Sequence, residues 1–223
     1  MHTGNETGLR KMMIFDMDNT LLQHSFIYTA AREFGFHDQL VSIVAEGLDD
    51  IPRTRKIATL LKGVDRRDIM DVATSMPLVE DAEAVVKELK GRGYTLGIIS
   101  DSYDCVAGYL RQRLGMDFAC ANELIFLEDM ATGEVVIPPA FLHQADSSCQ
   151  HVYCKTNMMR YMMGVHGFAA AQVVAVGDGP NDMCMITHAS TGVAFNDKTG
   201  RLKEVAKVVL PELSFRPLLE MGE

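Results

Sequence analysis

Short apolar runs alternate with amphipathic segments along most of this 223-residue chain. Four of the runs have the length of a strand: residues 12–16 (MMIFD), 95–100 (TLGIIS), 173–178 (VVAVGD) and 191–195 (TGVAF). Such continuous apolar runs are typical of parallel strands that are buried on both faces. Residues 81–89 (DAEAVVKEL) instead have apolar positions at helical spacing, and the helix breakers Gly91 and Gly93 follow them. They predict a helix that leads directly into a strand.

Strands that alternate with helices predict an α/β fold with a doubly wound parallel sheet. Ligands of such sheets bind at the carboxyl ends of the strands. Three of the four predicted strands end in a polar residue, namely Asp16, Ser100 and Asp178. We therefore expect a functional site at this edge of the sheet.

Residues 23–77 have a helical pattern throughout. The successive amphipathic pieces are FIYTAAREFGF, LVSIVAEGL, TRKIATLLKGV and RRDIMDVATSM. We interpret this stretch as a small helical cap inserted after the first strand, and residues 1–22 together with 78–223 as the core that it covers. Residues 123–137 (ELIFLEDMATGEVVI) predict a hairpin flap, with two short strands around a Thr-Gly turn.

The composition limits the classes of partner. The formal net charge is −9, and no run is rich in Lys or Arg, so neither a nucleic acid nor a membrane surface is expected as a partner. No apolar stretch has the length of a signal segment or a membrane span. Five cysteines, an odd number, fit a reducing compartment, and we expect the cytoplasm. The oligomeric state is left open.

Four short motifs occur in chain order, each at the end of a predicted strand or the start of a helix. They are DMDNT with Asp16, Asp18 and Thr20, the pair Ser100 and Asp101, Lys155, and GDGPND with Asp178 and Asp182. Each motif alone is most simply a turn, a helix cap or a surface lysine. In this order and context they resemble the haloacid dehalogenase superfamily of phosphotransferases, and the resemblance covers most of the chain.

The resemblance implies a phosphatase that works through an aspartyl-phosphate. Asp16 is then the nucleophile, while Asp18 protonates the leaving alkoxide and later deprotonates the attacking water. Lys155 supplies positive charge beside the phosphoryl group, and Ser100 holds its oxygens together with main-chain N–H groups. Asn181 is expected to orient Lys155. The residues expected to contact the substrate are Asn19, Thr20, Ser100, Asp101 and Asn181.

The acidic residues also predict a cofactor. Four carboxylates cannot stay ionised together without a cation. Asp16, Asp178 and Asp182, with the main-chain oxygen of Asp18, would make an all-oxygen site of the kind that Mg²⁺ prefers. Mg²⁺ would allow an anionic nucleophile to approach an anionic phosphate.

Within the superfamily, the position of the cap and the order of the motifs look most like those of phosphoserine phosphatases. Three features differ. Ser25 stands where those enzymes carry a glutamate that meets the substrate amine, and Asn19 replaces their first hydroxyl residue. Their cap arginine has no clear counterpart, although two arginines are nearby. The cap residues to which we assign substrate choice are Ser25, Tyr28, Arg53 and Arg55.

The later half of the chain is also similar to phosphoethanolamine/phosphocholine phosphatases and their pyridoxal-phosphate relatives. The similarity lies in IISDSYD, CQHVYCK and GDGPNDMC. Asp101 stands where phosphoserine phosphatases carry glycine. An acidic residue beside the phosphate pocket suits an amine-bearing substrate, although it can equally cap the following helix.

A second set of candidate metal ligands precedes Lys155, and its members are His143, Cys149, His151 and Cys154. Their spacing does not match the paired templates of zinc sites. Free thiols packed under the flap are the simpler interpretation, and a second metal stays open. Four methionines after the lysine, Met158, Met159, Met162 and Met163, predict the core face of a helix.

The sequence thus predicts a Mg²⁺-dependent hydrolase of a small phosphorylated metabolite. Two alternatives stay open: a protein that binds a phosphometabolite without turnover, and an enzyme that transfers the phosphoryl group to another alcohol. The presence of all the catalytic groups favours an enzyme. We expect its cap to open and close, since water must be excluded during transfer and admitted for hydrolysis.

Overall fold

A computed structural model describes residues 11–221. In this part of the chain the strands are β1 (Met12–Phe15), β2 (Thr95–Tyr103), β3 (Phe118–Leu127), β4 (Met130–Val136), β5 (Val173–Gly177), β6 (Thr191–Phe195) and β7 (Val208–Leu210). They form one sheet in the order β4-β3-β2-β1-β5-β6-β7. Neighbouring strands are parallel except for β3 and β4. The predicted α/β class with a doubly wound parallel sheet is confirmed.

The helices complete this architecture. They are α1 (Phe26–Glu33), α2 (His37–Ala45), α3 (Asp50–Ala58), α4 (Arg66–Ser75), α5 (Ala82–Gly91), α6 (Asp104–Leu114), α7 (Lys155–His166) and α8 (Met183–His188). We call α1 to α4 the cap helices. The predicted strands correspond to β1, β2, β5 and β6, and the helix predicted over residues 81–89 is α5. None of the helices in residues 11–221 has the length and apolar character needed to cross a membrane.

The core lies on both faces of the sheet. Side chains alternate along a strand, so Met13 and Phe15 of β1 join one buried cluster while Met12 and Ile14 join another. The first cluster includes cap residues such as Phe26. The second includes the predicted methionine face of α7: Met158, Met159 and Met162 are buried, and Met163 is partly buried. Burial on both faces explains why the sequence of β1 is apolar without alternation.

The strand order reverses at β1, which has β2 on one side and β5 on the other. A crevice opens at such a point beyond the carboxyl ends of the strands. The register pairs Phe15 with Val176, and the backbone N–H of Asp16 donates to the Val176 carbonyl at 2.9 Å. Asp16 and Asp178 therefore leave neighbouring strands at the same edge of the sheet.

The hairpin of β3 and β4 differs from the prediction in where it turns. The turn lies at Glu128 and Asp129, whose φ values are 50° and 63°, whereas Thr132 and Gly133 lie inside β4. Positive φ at both central residues is what a two-residue hairpin turn of type I′ requires, and here two non-glycine residues adopt it. The hairpin is also the edge of the main sheet and not a separate flap, because β3 pairs with β2.

This hairpin contacts the segment between the cap helices α3 and α4. The backbone N–H of Gly63 donates to the Ala131 carbonyl at 2.8 Å, and the N–H of Ala131 donates to the Val64 carbonyl at 2.9 Å. Gly133 has φ +82°, and a side chain there would meet Lys62 Cβ at 3.0 Å. The glycine that suggested a turn is thus required by a close approach of the cap.

Candidate active site

The chain turns sharply after β1. The Asp16 carboxylate accepts a hydrogen bond from the backbone N–H of Met17 at 2.7 Å, which starts the turn. Asn19 adopts a left-handed conformation with φ 55°, which asparagine tolerates better than most residues. Asp16 is 2% exposed. The local sequence therefore buries the first aspartate and turns the second out of the line of the strand.

A buried lysine holds the centre of the site. Lys155 is the first residue of α7 and is 1% exposed. Its Nζ lies 2.6 Å from Asp16 Oδ1 and 2.8 Å from Asp182 Oδ1. A buried ammonium is stable only when it is paired and hydrogen-bonded, and two carboxylates satisfy that condition here.

The turn after β5 positions Asp182. Its second oxygen, Oδ2, accepts hydrogen bonds from the backbone N–H groups of Asp178 at 3.1 Å and Gly179 at 3.3 Å. A Cβ on Gly177 would overlap the Asp182 side chain, so a glycine is needed where the strand ends. The short helical turn Pro180–Asp182 thus closes on its own carboxylate and presents the other oxygen to Lys155.

Three carboxylates fit a divalent cation. Oxygens of Asp16, Asp178 and Asp182 lie within 4.8 Å of one another. The Thr20 hydroxyl donates to Asp178 Oδ1 at 3.2 Å and fixes that side chain. Oxygen donors in this number are the chemistry that Mg²⁺ selects, and a hydrogen-bonded carboxylate is the usual arrangement around such an ion.

The electrostatics of the described groups support the same conclusion. Burial, the charge of Asp182 and then that of Asp178 raise the pKa of Asp16 well above its usual range, although Lys155 opposes them. Burial and Asp182 raise the pKa of Asp178 to about 7. Burial alone would lower the pKa of Lys155, but the surrounding carboxylates raise it overall. The site therefore has an excess of negative charge that one lysine does not neutralise.

Asp18 lies between the acidic group and the cap. Its Oδ1 accepts a hydrogen bond from the backbone N–H of Phe26, the first residue of α1, at 2.5 Å. Burial raises the pKa of Asp18 to about 7, and the bond from Phe26 opposes that shift. The carboxyl group can therefore both release and accept a proton near neutral pH.

A cleft of about 530 Å³ separates these groups from the cap helices. Its lining includes the predicted residues Asp16, Asp18, Asn19, Asp101, Asp178 and Asn181. Of the four cap residues to which we assign substrate choice, Ser25, Tyr28 and Arg53 line the cleft and Arg55 does not. A salt bridge holds the Arg53 side chain, since its Nη2 lies 2.5 Å from Asp50 Oδ1.

Some predicted residues have other partners than expected. Asn181 donates to Asp101 Oδ2 at 3.2 Å, so the prediction that it orients Lys155 is wrong: Asp16 and Asp182 orient the lysine. Ser100 is fully buried and its hydroxyl accepts from the N–H of Ser102. Neither Ser100 nor the fully buried Thr20 lines the cleft, so their contact with a substrate stays a prediction.

Sequence reasoning missed several residues of the site. Ser102 and Tyr103 line the cleft because β2 continues past Ser100. Asn122 of β3 is fully buried and donates to the Asp101 carbonyl at 2.7 Å, which holds the irregular end of β2. The available signal was the pair Asn122 and Glu123, two polar residues inside an otherwise apolar strand. The apolar cap residues of the cleft, Ile27, Val44 and Ile57, carried no signal that separates them from core positions.

Comparison with known proteins decides the family. A family model described as haloacid dehalogenase-like hydrolase matches residues 11–189. The chain belongs to this family.

The relatives of this haloacid dehalogenase-like hydrolase agree with one another. It is 29% identical over 215 residues to the phosphoserine phosphatase of Methanocaldococcus jannaschii, and the match covers 95% of this chain and 97% of that protein. It is 30% identical over 193 residues to the phosphoserine phosphatase of Streptomyces coelicolor, but that match covers 85% of this chain and 45% of the relative. A solved structure described as a phospho-aspartyl intermediate analogue of phosphoserine phosphatase has a TM-score of 0.82 at 29% identity, with 96% of this chain and 99% of that chain covered.

Family and relatives together give the class of reaction. The protein is a phosphoric monoester hydrolase, a phosphatase of the haloacid dehalogenase type. Its fold and its strand-end carboxylates agree with that class.

Proposed function

We propose that this phosphatase hydrolyses a small-molecule phosphate monoester through an aspartyl-phosphate on Asp16, with Mg²⁺ as cofactor. The observation that carries the proposal is the buried Lys155, whose Nζ lies 2.6 Å from Asp16 Oδ1 and 2.8 Å from Asp182 Oδ1 beside the cleft. A lysine paired in this way keeps its charge and can neutralise a phosphoryl group bound to its neighbour.

In the first half of the reaction a carboxylate oxygen of Asp16 attacks phosphorus in line with the ester bond. The phosphorus–oxygen bond of the ester breaks as the new bond to Asp16 forms. Asp18 gives its proton to the leaving alkoxide, which departs as an alcohol. The pKa of about 7 for Asp18 suits this role, because a large fraction of the carboxyl group is protonated at neutral pH.

In the second half a water molecule attacks the phosphorus of the aspartyl-phosphate. Asp18, now ionised, takes a proton from that water, the bond between Asp16 and phosphorus breaks, and inorganic phosphate leaves. The enzyme is then restored. The hydrogen bond from Phe26 to Asp18 links the group that handles both protons to α1 of the cap, which supports a coupling between cap position and proton transfer.

Asp16, Asp178 and Asp182 would hold the cation, with the main-chain oxygen of Asp18. When bound, Mg²⁺ would supply positive charge that keeps Asp16 ionised and neutralises the phosphate. The raised pKa values of Asp16 and Asp178 support this need, since both side chains are disfavoured as anions by burial and by Asp182. The single positive charge of Lys155 already faces two carboxylates, those of Asp16 and Asp182, before a phosphate binds.

For the substrate we propose phosphoserine or a close analogue that carries both an amine and a carboxylate. The relatives named phosphoserine phosphatase support this choice. Arg53 of α3 lines the cleft and is the cap residue that suits a carboxylate. Asp101, which lines the same cleft, suits an amine.

Phosphoethanolamine, phosphocholine or pyridoxal phosphate is the second candidate class. Asp101 favours it, because an acidic residue lies in the cleft while the one cap arginine that lines it is already paired with Asp50. Ser25 stands in place of an acidic cap residue. Among the carboxylates that line the cleft, Asp101 is then the one without a proposed catalytic or metal-binding role, so it is the partner available to an amine.

A comparison of two substrates in two variants separates these candidates. Phosphoserine and phosphoethanolamine differ by one carboxylate, so Arg53→Gln should lower kcat/KM for phosphoserine by about 10-fold or more while phosphoethanolamine changes little. Arg55→Gln, on the same helix but outside the cleft lining, is the matched control. A higher kcat/KM for phosphoethanolamine in the unmodified enzyme, with no selective effect of Arg53→Gln, would favour the second class.

Release of inorganic phosphate with and without Mg²⁺ tests the proposal itself. A generic aryl phosphate should be hydrolysed only when the cation is present. If neither the aryl phosphate nor phosphoserine, phosphoethanolamine, phosphocholine or pyridoxal phosphate were hydrolysed, the result would point to a phosphometabolite-binding protein. Transfer to another alcohol would show as a phosphorylated acceptor, in place of free phosphate, when acceptor alcohols are added.

A further inference from the structure

Three cysteines and one histidine from two separate segments of the chain meet beside α7 and α8. Cys149, His151 and Cys154 precede α7, and Cys184 lies in the first turn of α8. One side-chain atom of each residue belongs to a group whose members all lie within 4.8 Å of one another. In particular, Cys184 Sγ lies 3.3 Å from His151 Nδ1. The fold has thus brought the Cys184 thiol beside two thiols and an imidazole from a segment that is distant in sequence.

The spacing of these atoms suits a tetrahedral zinc ion. Structural zinc is bound at about 2.3 Å by sulfur and about 2.0–2.1 Å by nitrogen, so two ligand atoms of one tetrahedron lie about 3.6–3.8 Å apart. No two of the four atoms are more than 4.8 Å apart, and Cys184 Sγ and His151 Nδ1 are 3.3 Å apart, so small movements of the side chains bring the set to the separations that zinc requires. Cys184 supplies the ligand that the sequence pattern lacked, and His143, which the sequence suggested, is not in the group.

Other interpretations explain less of the arrangement. A disulfide would join two of the sulfurs and leave the third thiol and the imidazole without a role. All five cysteines are free, including Cys105 and Cys120 outside the group. Thiols that merely fill a core would be buried, whereas His151 is exposed and Cys149 and Cys184 are half-buried. A ligand set at the surface is typical of a zinc site that fastens a loop.

The loop that carries three of the ligands needs such a support. Residues 142–154 contain no helix or longer strand, and two backbone hydrogen bonds close the base of the loop: His143 N–H to the Val152 carbonyl and Cys154 N–H to the Phe141 carbonyl, each 2.9 Å. Most side chains between 143 and 152 are exposed, and Val152 is 67% exposed. A loop of this length with so little core is uncommon, and a structural metal is one way to stabilise it.

We propose that Cys149, His151, Cys154 and Cys184 bind one structural Zn²⁺. The three cysteines bind as thiolates, and four protein ligands leave no open position on the metal, so this ion does not act on substrate. The site shares no residue with the acidic group at the sheet edge. The ion would join Cys154, the residue before Lys155, to Cys184 in α8, two residues after Asp182. It would thus support the two segments that carry the ion pair between Lys155 Nζ and Asp182 Oδ1, which are 2.8 Å apart.

Metal analysis of the purified protein tests the proposal. The protein should contain one zinc per chain, and Cys184→Ser should lose it. Cys120→Ser is the matched control, because Cys120 is half-buried and outside the group. Asp16→Asn should keep its zinc, which separates this site from the Mg²⁺ site and from catalysis. Zinc at less than one per chain in the unmodified protein after growth with added zinc, or full zinc in Cys184→Ser, would overturn the proposal.

Cobalt provides a second measurement that does not depend on a variant. The chelator-treated protein, titrated with Co²⁺, should show thiolate-to-cobalt charge transfer and the strong visible bands of a tetrahedral site. Removal of the metal should expose residues 143–152 to a non-specific protease, and Zn²⁺ should restore protection. Weak octahedral bands, or cleavage unaffected by zinc, would contradict the proposal.

Discussion

Lys155 and Asp182 form a buried ion pair, with Nζ and Oδ1 2.8 Å apart and the two side chains 1% and 0% exposed. The same ammonium contacts Asp16 at 2.6 Å. The Lys155 ammonium thus joins the end of β1 to the turn after β5. The central carboxylates are held in position by a group that also carries the charge needed beside a phosphate.

Lys155→Met should destabilise the protein as well as inactivate it. The variant keeps the volume of the side chain but leaves two buried carboxylates without their cation, which costs about 3–5 kcal/mol. Without Lys155, which lowers the pKa of Asp16, that pKa rises further above its value in the unfolded chain. The loss in the free energy of unfolding should therefore be large near pH 7 and shrink toward about pH 5, where the carboxyl group is protonated. Denaturant unfolding at both pH values checks this, with exposed Lys87→Met as control. A loss that grows on acidification would be inconsistent with the pairing.

Gly177→Ala should inactivate the enzyme through Asp182. The new Cβ would overlap the Asp182 side chain and displace the carboxylate that holds Lys155. Misplacement of a catalytic group by about 1 Å costs about 100-fold in rate, which we expect in kcat. Gly108→Ala, in open space inside α6, should keep full activity and raise the free energy of unfolding by about 1 kcal/mol. Full activity in Gly177→Ala would show that Asp182 can move without consequence.

Asp18→Asn should affect substrates according to their leaving group. An alkoxide needs a proton to leave, so kcat for alkyl phosphates should fall by about 10²–10⁴-fold. The p-nitrophenolate ion leaves without one, so p-nitrophenyl phosphate should give a burst of product followed by slow turnover, because hydrolysis of the intermediate still lacks its base. In the unmodified enzyme, kcat/KM for alkyl esters should fall as the pH rises through about 7, where Asp18 of the free enzyme loses its proton. An equal loss for both substrates without a burst would argue against the assigned role.

Thr20→Val should weaken the binding of Mg²⁺ at Asp178. The variant keeps the shape of a fully buried side chain and removes the hydroxyl that donates to Asp178 Oδ1 at 3.2 Å. Loss of such a supporting hydrogen bond typically costs about 10–100-fold in metal affinity. The half-maximal Mg²⁺ concentration should rise by that factor, whereas exposed Thr74→Val should leave it unchanged. An unchanged Mg²⁺ requirement in Thr20→Val would remove Asp178 from the metal site.

The sequence predicted the candidate site where a polar residue directly follows an apolar strand. The apolar runs that form β1 and β5 end at Asp16 and Asp178, and polar residues at strand ends are visible without coordinates. β7 was missed because its three residues, Val208–Leu210, are too short to show a pattern. The hairpin turn was misplaced because Gly133 signals a turn from its residue type, whereas its actual cause is contact with the cap across a distance in sequence.

The sequence pattern did not predict which side chains bond to one another. Asn181 and Asp182 are adjacent in GDGPND, yet Asp182 bonds Lys155 while Asn181 bonds Asp101. Likewise, Arg53 and Arg55 lie on one helix, and only the direction of the helix relative to the cleft separates them. Cys184 is distant in sequence from Cys149, His151 and Cys154, and only the folded chain places it beside them. Tertiary contacts decide these assignments, so local spacing cannot.

Identification of the residue that carries the phosphoryl group tests the account most directly. The enzyme is quenched with acid during turnover of a saturating phosphate ester with Mg²⁺, and its peptides are mapped by mass spectrometry. The account predicts a phosphoryl group on Asp16 that hydroxylamine removes, and neither this adduct nor turnover above about 10⁻⁴ of the normal rate in Asp16→Asn. A phosphoryl group on any other residue, or normal turnover in Asp16→Asn, would contradict it.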